Sequence, residues 1–400
     1  MKKMATIWII SVFLLHGIAI IEAAMTVGAG GGAGVGFGIG GGGGGVWVGG
    51  GINSPGPPTG SSGLQSAYTA LQAWKSAISE DPLGIITSSW VGANVCSYKG
   101  VFCSDSEEDS MGSYPKQVVA GIDLNHANLK GFLVKELSML TDLSLLHLNT
   151  NRFSGTIPET FRNLASLTEL DLSNNQFSGP FPSSVLLIPN LIYLDLRFNS
   201  FSGPIPEDVF NKKLDAVFLN NNQFTGEIPQ NLGNSPASVI NLANNRVSGS
   251  IPFSLGYMGV KEILFLNNQL TGCIPEGVGL WTDLEVLDVS SNGLTGHLPD
   301  TMSCLSGIEV LNLANNRFSG ELTDIVCSLK RLMNLTISYN FFSGLSQDCE
   351  RLPVRNVGFD FSLNCIPGRQ LQRPPPECSG AQGSSLSCIR IPSPRPVVCG

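Results

Sequence analysis

The side chains best equipped for chemistry in this chain are the carboxylates Asp123, Glu169, Asp171, Asp195, Glu262 and Asp288 and the histidines His126, His147 and His297. Paired carboxylates are the tools of glycoside hydrolysis, which needs one acid kept protonated in a water-excluding cleft while the other stays ionised. A histidine next to a serine or cysteine would serve as a nucleophile's base. No Ser or Cys stands at motif spacing from His126 or His147, so both read as surface histidines. The ten cysteines contain no Cys-x-x-Cys pair, which removes the usual zinc and dithiol signatures. No catalytic residue, metal site or cofactor is expected.

A repeat positions these acids. Asn151, Asn175, Asn199, Asn222, Asn245, Asn268, Asn292, Asn316 and Asn340 recur every 23 or 24 residues, and Ala127 holds the same place 24 residues before Asn151. One unit stands for all: Leu167-x-x-Leu170-x-Leu172-x-x-Asn175-x-Phe177-x-Gly179-x-Phe181-Pro182. Ten units in phase are decisive where a single match is weak. The Leu-x-Leu alternation is a short strand with leucines inward. The asparagine amide satisfies backbone groups inside the coil. The Ser-Gly-x-Ile-Pro segment predicts a second short strand on one flank. This is a leucine-rich repeat, an α/β-type solenoid. The expected architecture is a right-handed plant-type superhelix with a parallel concave β-sheet and disulfide-stapled caps.

Within each unit the third, fifth, seventh and eighth places face solvent on the concave sheet. The six acids fall there, and Arg197 is the only Arg or Lys among them, so the groove reads as acidic. Aspartate at the fifth place is taken to be exposed. Tyr193, Phe198 and Phe218 fall on the same face beside Asp195 and Arg197, the pattern of an interface hot spot. The expected ligand-binding set is therefore Glu169, Asp171, Tyr193, Asp195, Arg197, Phe198, Phe218, Asn220, Glu262 and Asp288.

Outside the repeats the sequence divides readily. Residues 1–24 have the basic start, apolar run and small-residue end of a secretory signal. Residues 25–63 are Gly- and Pro-rich and too poor in side chains to offset ordering entropy, so disorder is expected. Residues 64–117 read as an N-terminal cap, with Ala67, Leu71, Trp74 and Ile78 at helical spacing, followed by the repeats over 118–345. A C-terminal cap over 346–378 and a disordered tail over 379–400 complete the chain. Expected disulfides are Cys96–Cys103, Cys327–Cys349 and Cys365–Cys378, while Cys273, Cys304, Cys388 and Cys399 have no partner evident from repeat phase. Asn334-Leu335-Thr336 is a glycosylation acceptor. A net charge of -8 excludes the basic stripe of a nucleic-acid binder and suits a basic partner. No later stretch approaches eighteen apolar residues, so a secreted protein with no membrane span is expected.

Finer features carry a family resemblance. They are Val119-Ala120-Gly121-Ile122-Asp123-Leu124-Asn125-His126, Tyr193-Leu194-Asp195-Leu196-Arg197-Phe198-Asn199, Ser338-Tyr339-Asn340-Phe341-Phe342 and Asn364-Cys365-Ile366-Pro367-Gly368. In these the chain resembles the repeat domain of the leucine-rich repeat extensins. The resemblance implies a cell-wall or apoplastic location and binding of basic, cysteine-rich signalling peptides of the rapid alkalinization factor class. The Ser-Pro arrays of that family are reduced here to Arg373-Pro374-Pro375-Pro376 and Ser393-Pro394-Arg395-Pro396, so an extensin module is not expected. Three competing readings remain: another extracellular protein as partner, as in inhibitors of pectin-degrading enzymes; a wall polysaccharide; or a structural wall component.

Overall fold

The computed structural model describes residues 62–106, 116–252 and 259–379. The signal peptide, the Gly-rich leader before Ser62, and the tail beyond Ser379 with Cys388 and Cys399 lie outside the described residues.

The repeat builds a twelve-stranded sheet. Its first strand, Val101–Asp105, runs antiparallel to Gln117–Asp123, and from there to Gly358–Asp360 every neighbouring pair is parallel. Leu170, Leu172, Leu146, Leu148 and Leu196 are fully buried, as alternation within each short strand requires. The flanking strands predicted from Ser-Gly-x-Ile-Pro form two further sheets, one running from Ile78–Glu80 to Gln223–Thr225 and one from Ser248–Gly249 to Phe341–Leu345. Short helical turns such as Glu159–Asn163 and Asp300–Cys304 close the other side of the coils.

Two internal columns hold the coils together. In the first, the Asn175 amide donates to the carbonyls of Leu148, one coil earlier, and Leu172, while its oxygen accepts from the Phe153 N–H at 2.9 Å. The same set repeats at Asn199, Asn222, Asn245, Asn268, Asn292, Asn316 and Asn340. It also continues at Asn364, so strand Gly358–Asp360 adds a coil beyond the ten aligned in the sequence. The second column is aromatic: Phe153, Phe177, Phe201 and Phe224 stack with centroids 6.3–6.4 Å apart. Trp74 of the cap helix Ser62–Ala77 starts that stack at 5.8 Å from Phe153.

The ends are stapled. Cys96–Cys103, Cys327–Cys349 and Cys365–Cys378 are disulfides. Cys273 and Cys304, which repeat phase left without a partner, are also disulfide-bonded. At the first end, Trp90 packs between Trp74 and Tyr98, and the Asp81 carboxylate accepts the N–H groups of Ile85, Ile86 and Thr87. These donors outweigh burial and hold its pKa low. At the other end Arg373 stacks on Phe341 at 4.4 Å and donates to the Asn340 carbonyl.

Candidate binding site on the concave sheet

Strand register brings the expected residues together. His147 lies opposite Asp171, which lies opposite Asp195, which lies opposite Phe218, each on the next strand. Beside that row, Leu145, Glu169, Tyr193 and Ala216 are likewise aligned. Neighbouring parallel strands are about 4.8 Å apart, so the cluster occupies one continuous patch.

Asp195 corrects the expectation that fifth-place aspartates are exposed: it is completely buried. One of its oxygens accepts the Arg197 N–H at 3.0 Å; the other lies 2.9 Å from Arg197 Nε and 3.4 Å from the Tyr193 hydroxyl. Nε is off the hydrogen-bonding line, so this contact is an ion pair without a charge-assisted hydrogen bond. Burial pushes the Asp195 pKa up to about 7 against the pull of Arg197. The Tyr193 phenol is raised by burial and by Asp195. Tyr193 and Phe218 sit 6.1 Å apart, and the Arg197 guanidinium lies 5.2 Å from the Phe218 centroid. The carboxylate is thus roofed by two rings and a guanidinium, and does not meet a ligand directly.

Asp288 is a second correction. It is 7% exposed, and its Oδ1 accepts both the N–H and the hydroxyl of Ser290. Burial raises its pKa against the bonds from Ser290 and Asn312. The same bond, from fifth-place oxygen to seventh-place N–H, recurs at Asp123, Asp171, Asn241, Asn312 and Asp360. These side chains close the turn leaving each strand, a local role that competes with any ligand for the same oxygen.

What remains open to solvent is narrower. Asp123, Glu169 and Asp171 are half-buried, and Glu169 holds His147 Nε2 at 3.1 Å. Burial pulls the His147 pKa down, but the Glu169 hydrogen bond and the nearby Asp171 and Asp123 outweigh it, and the net shift is upward. His147 is therefore a partner of the acids, whereas His126 is exposed at a turn. Glu262 stands apart, between Val239 and Val286, with its pKa raised by burial and by Glu285. Around it Leu264, Leu266 and Val310 make an apolar stretch that the charge census overlooked; a column-by-column reading of the repeat would have shown it.

Two local features stand out in the patch. Phe198 adopts φ of 52°, a left-handed conformation in which bulky residues are strained and which asparagine fills at Asn174, Asn221, Asn244, Asn267 and Asn315. Asn220 is only 6% exposed, and its Oδ1 accepts no hydrogen bond, while its amide donates to Asn221. A buried acceptor left unpaired costs about 1–3 kcal/mol. Arg197, Phe218 and Asn220 sit on adjacent coils, so the unpaired acceptor borders the aromatic roof.

Sequence comparisons agree with the geometry. Residues 64–104 match the leucine rich repeat N-terminal domain, and residues 141–201, 283–305 and 307–329 match leucine rich repeat families. Leucine-rich repeat extensin-like protein 4 of Arabidopsis thaliana is 63% identical over 158 residues, which is 40% of this chain and 31% of that protein. Extensin-like protein 2 of the same plant is 62% identical over 159 residues, covering 40% and 20%. The described residues form a plant-type leucine-rich-repeat solenoid, and over 40% of the chain its sequence is similar to the extensin-like proteins. The matched stretch spans a third or less of these relatives' length. Among solved structures, a TDR receptor is 31% identical with a TM-score of 0.58, covering 62% of this chain and 44% of that one. A plant ice-binding protein is 26% identical with a TM-score of 0.57, covering 77% and 97%. No helix among the described residues is long and apolar enough to cross a membrane.

Proposed function

We propose that this extensin-like repeat domain is a secreted, non-enzymatic receptor or scaffold of the cell wall that holds a basic, cysteine-rich peptide on its concave sheet. The observation that carries the reading is the patch of Tyr193, Phe198, Arg197 and Phe218, set beside the partly exposed residues Asp123, Glu169 and Asp171. The carboxylates steer a cation inward and set the association rate; the rings anchor it and set the dissociation rate. The resemblance to the extensin-like proteins is what brings this class of ligand forward, and the disulfide-stapled caps suit an oxidising compartment.

Surface-binding kinetics against basic cysteine-rich peptides test this. Glu169→Gln with Asp171→Asn should slow association several-fold and flatten its dependence on salt. Phe218→Ala should speed dissociation by roughly 30-fold or more, the weight of a truncated hot spot of about 2–4 kcal/mol. Loss of neither, or no binding tighter than about 10 micromolar, would remove the concave patch as the site and bring the enzyme-inhibitor reading forward.

A further inference from the structure

The sequon Asn334-Leu335-Thr336 forms a strand of the concave sheet, paired to Val310–Asn312 on one side and Gly358–Asp360 on the other. Asn334 is exposed in the third place of its coil, in the column that holds Glu169, Tyr193 and Glu262. We propose that Asn334 carries an N-linked glycan that covers the C-terminal coils of the concave face, so that the peptide site proposed above, on which this inference partly rests, is confined to the coils from Asp123 to Glu262.

The reacting atom is accessible. Asn334 Nδ2 makes no hydrogen bond among the described residues, whereas its Oδ1 accepts the Thr336 hydroxyl at 3.1 Å. Its neighbour across the strand pair is Gly358, where an added Cβ would come within 3.1 Å of Nδ2; glycine leaves that side clear. The donor is an oligosaccharide linked to a lipid pyrophosphate. A bond forms between the sugar C1 and Nδ2 as the bond from C1 to the pyrophosphate oxygen breaks. The lipid pyrophosphate leaves with the electron pair, and one proton departs from Nδ2.

The position gives the sugar its consequence. Strands here are about 4.8 Å apart, so a branched oligosaccharide rooted on one strand overhangs several neighbours. Towards the N-terminal end those are the strands of Val310 and Val286, which continue the apolar stretch past Glu262. Polar sugar over the half-buried Val286 and Val310 covers the apolar surface they leave and leaves the aromatic and acidic coils uncovered.

The test uses the full chain secreted from plant cells. Peptide mapping with and without endoglycosidase should find Asn334 occupied in the wild type and in Thr336→Ser, and bare in Thr336→Ala and Asn334→Gln. Hydroxyl-radical labelling of the unliganded protein should then modify Val310 several-fold more in the two bare variants than in wild type or Thr336→Ser, with Phe218 unchanged. In the presence of a basic peptide, protection in the wild type should stop at the Glu262 strand. An unoccupied Asn334, or equal labelling of Val310 with and without sugar, overturns the glycan proposal whatever the peptide does. Peptide protection of Val310 and Asn334 in the glycosylated protein overturns the confinement. Failure of any peptide to bind, with occupancy and labelling as expected, counts against the function proposed above and leaves the glycan standing.

Discussion

Phe198 holds a backbone conformation that five other coils of this solenoid, at Asn174, Asn221, Asn244, Asn267 and Asn315, assign to asparagine. Asparagine tolerates the left-handed region because its short polar side chain bonds locally, whereas a phenylalanine there costs on the order of 1–3 kcal/mol. A residue kept against that cost, on the surface and beside Tyr193 and Phe218, points to use rather than to stability. Phe198→Asn should accordingly raise the thermal unfolding midpoint by a few degrees while weakening peptide binding, two effects of opposite sign from one change. A variant that gained stability with binding intact would remove Phe198 from the site. Tyr339 has φ of 57° and is 51% exposed, so an aromatic ring holds the same backbone conformation in the coil of Asn334.

At the scale of the coil, buried leucines and the asparagine column share the work. Leu172→Ala opens a cavity between coils that cannot collapse independently and should cost about 2–5 kcal/mol, read from denaturant unfolding. Asn245→Ala strips partners from the Phe224 N–H and from the carbonyls of Leu219 and Leu242, and about 1–3 kcal/mol should follow. An unchanged unfolding midpoint in either variant would mean that the residue does not face the core. These positions were legible in the sequence because a period of 23 or 24 residues repeats one local solution many times. The concave column was legible too, since alternation in Leu-x-Leu forces it outward. Burial within that column was not. Asp171 stays half-open while Asp195 is sealed, although both sit at the fifth place, because only Asp195 has Tyr193 and Arg197 in its own coil and Phe218 on the next. The extra coil ending at Asn364 escaped for a related reason: its strand reads Gly358-Phe359-Asp360, without the leucines that set the alignment frame.

For the whole molecule, the titrating groups combine into a pH profile of stability. The folded-state pKa of Asp195 is raised to about 7, and those of Glu262 and Asp288 are also raised. Carboxyls of this kind favour the fold when protonated, so their contribution is complete below their unfolded pKa of about 4 and is lost as pH rises through the folded value. His147, also raised, acts in the same direction: its stabilising charge, present below about 6.5, disappears as pH climbs past its folded pKa. Asp81, Glu169 and Asp360 are lowered by hydrogen bonds, so they act oppositely, stabilising above about 4 and failing as pH falls through their folded values. The two sets leave a maximum at about pH 4–5, with a decline from there towards neutrality as the raised carboxyls ionise, continued above about 6.5 by His147. Calorimetry from pH 3 to 9 should show that maximum. Asp195→Asn should flatten the decline between about pH 4.5 and 7, because the largest single contributor no longer titrates, and His147→Gln should remove the part above about 6.5. The slope is the quantity to compare, since either substitution shifts absolute stability by breaking its contacts with Arg197 or Glu169. If the unfolding midpoint is level from about pH 4.5 to 7, or Asp195→Asn leaves the slope there untouched, Asp195 is ionised throughout and the ion pair with Arg197 outweighs the burial that surrounds it.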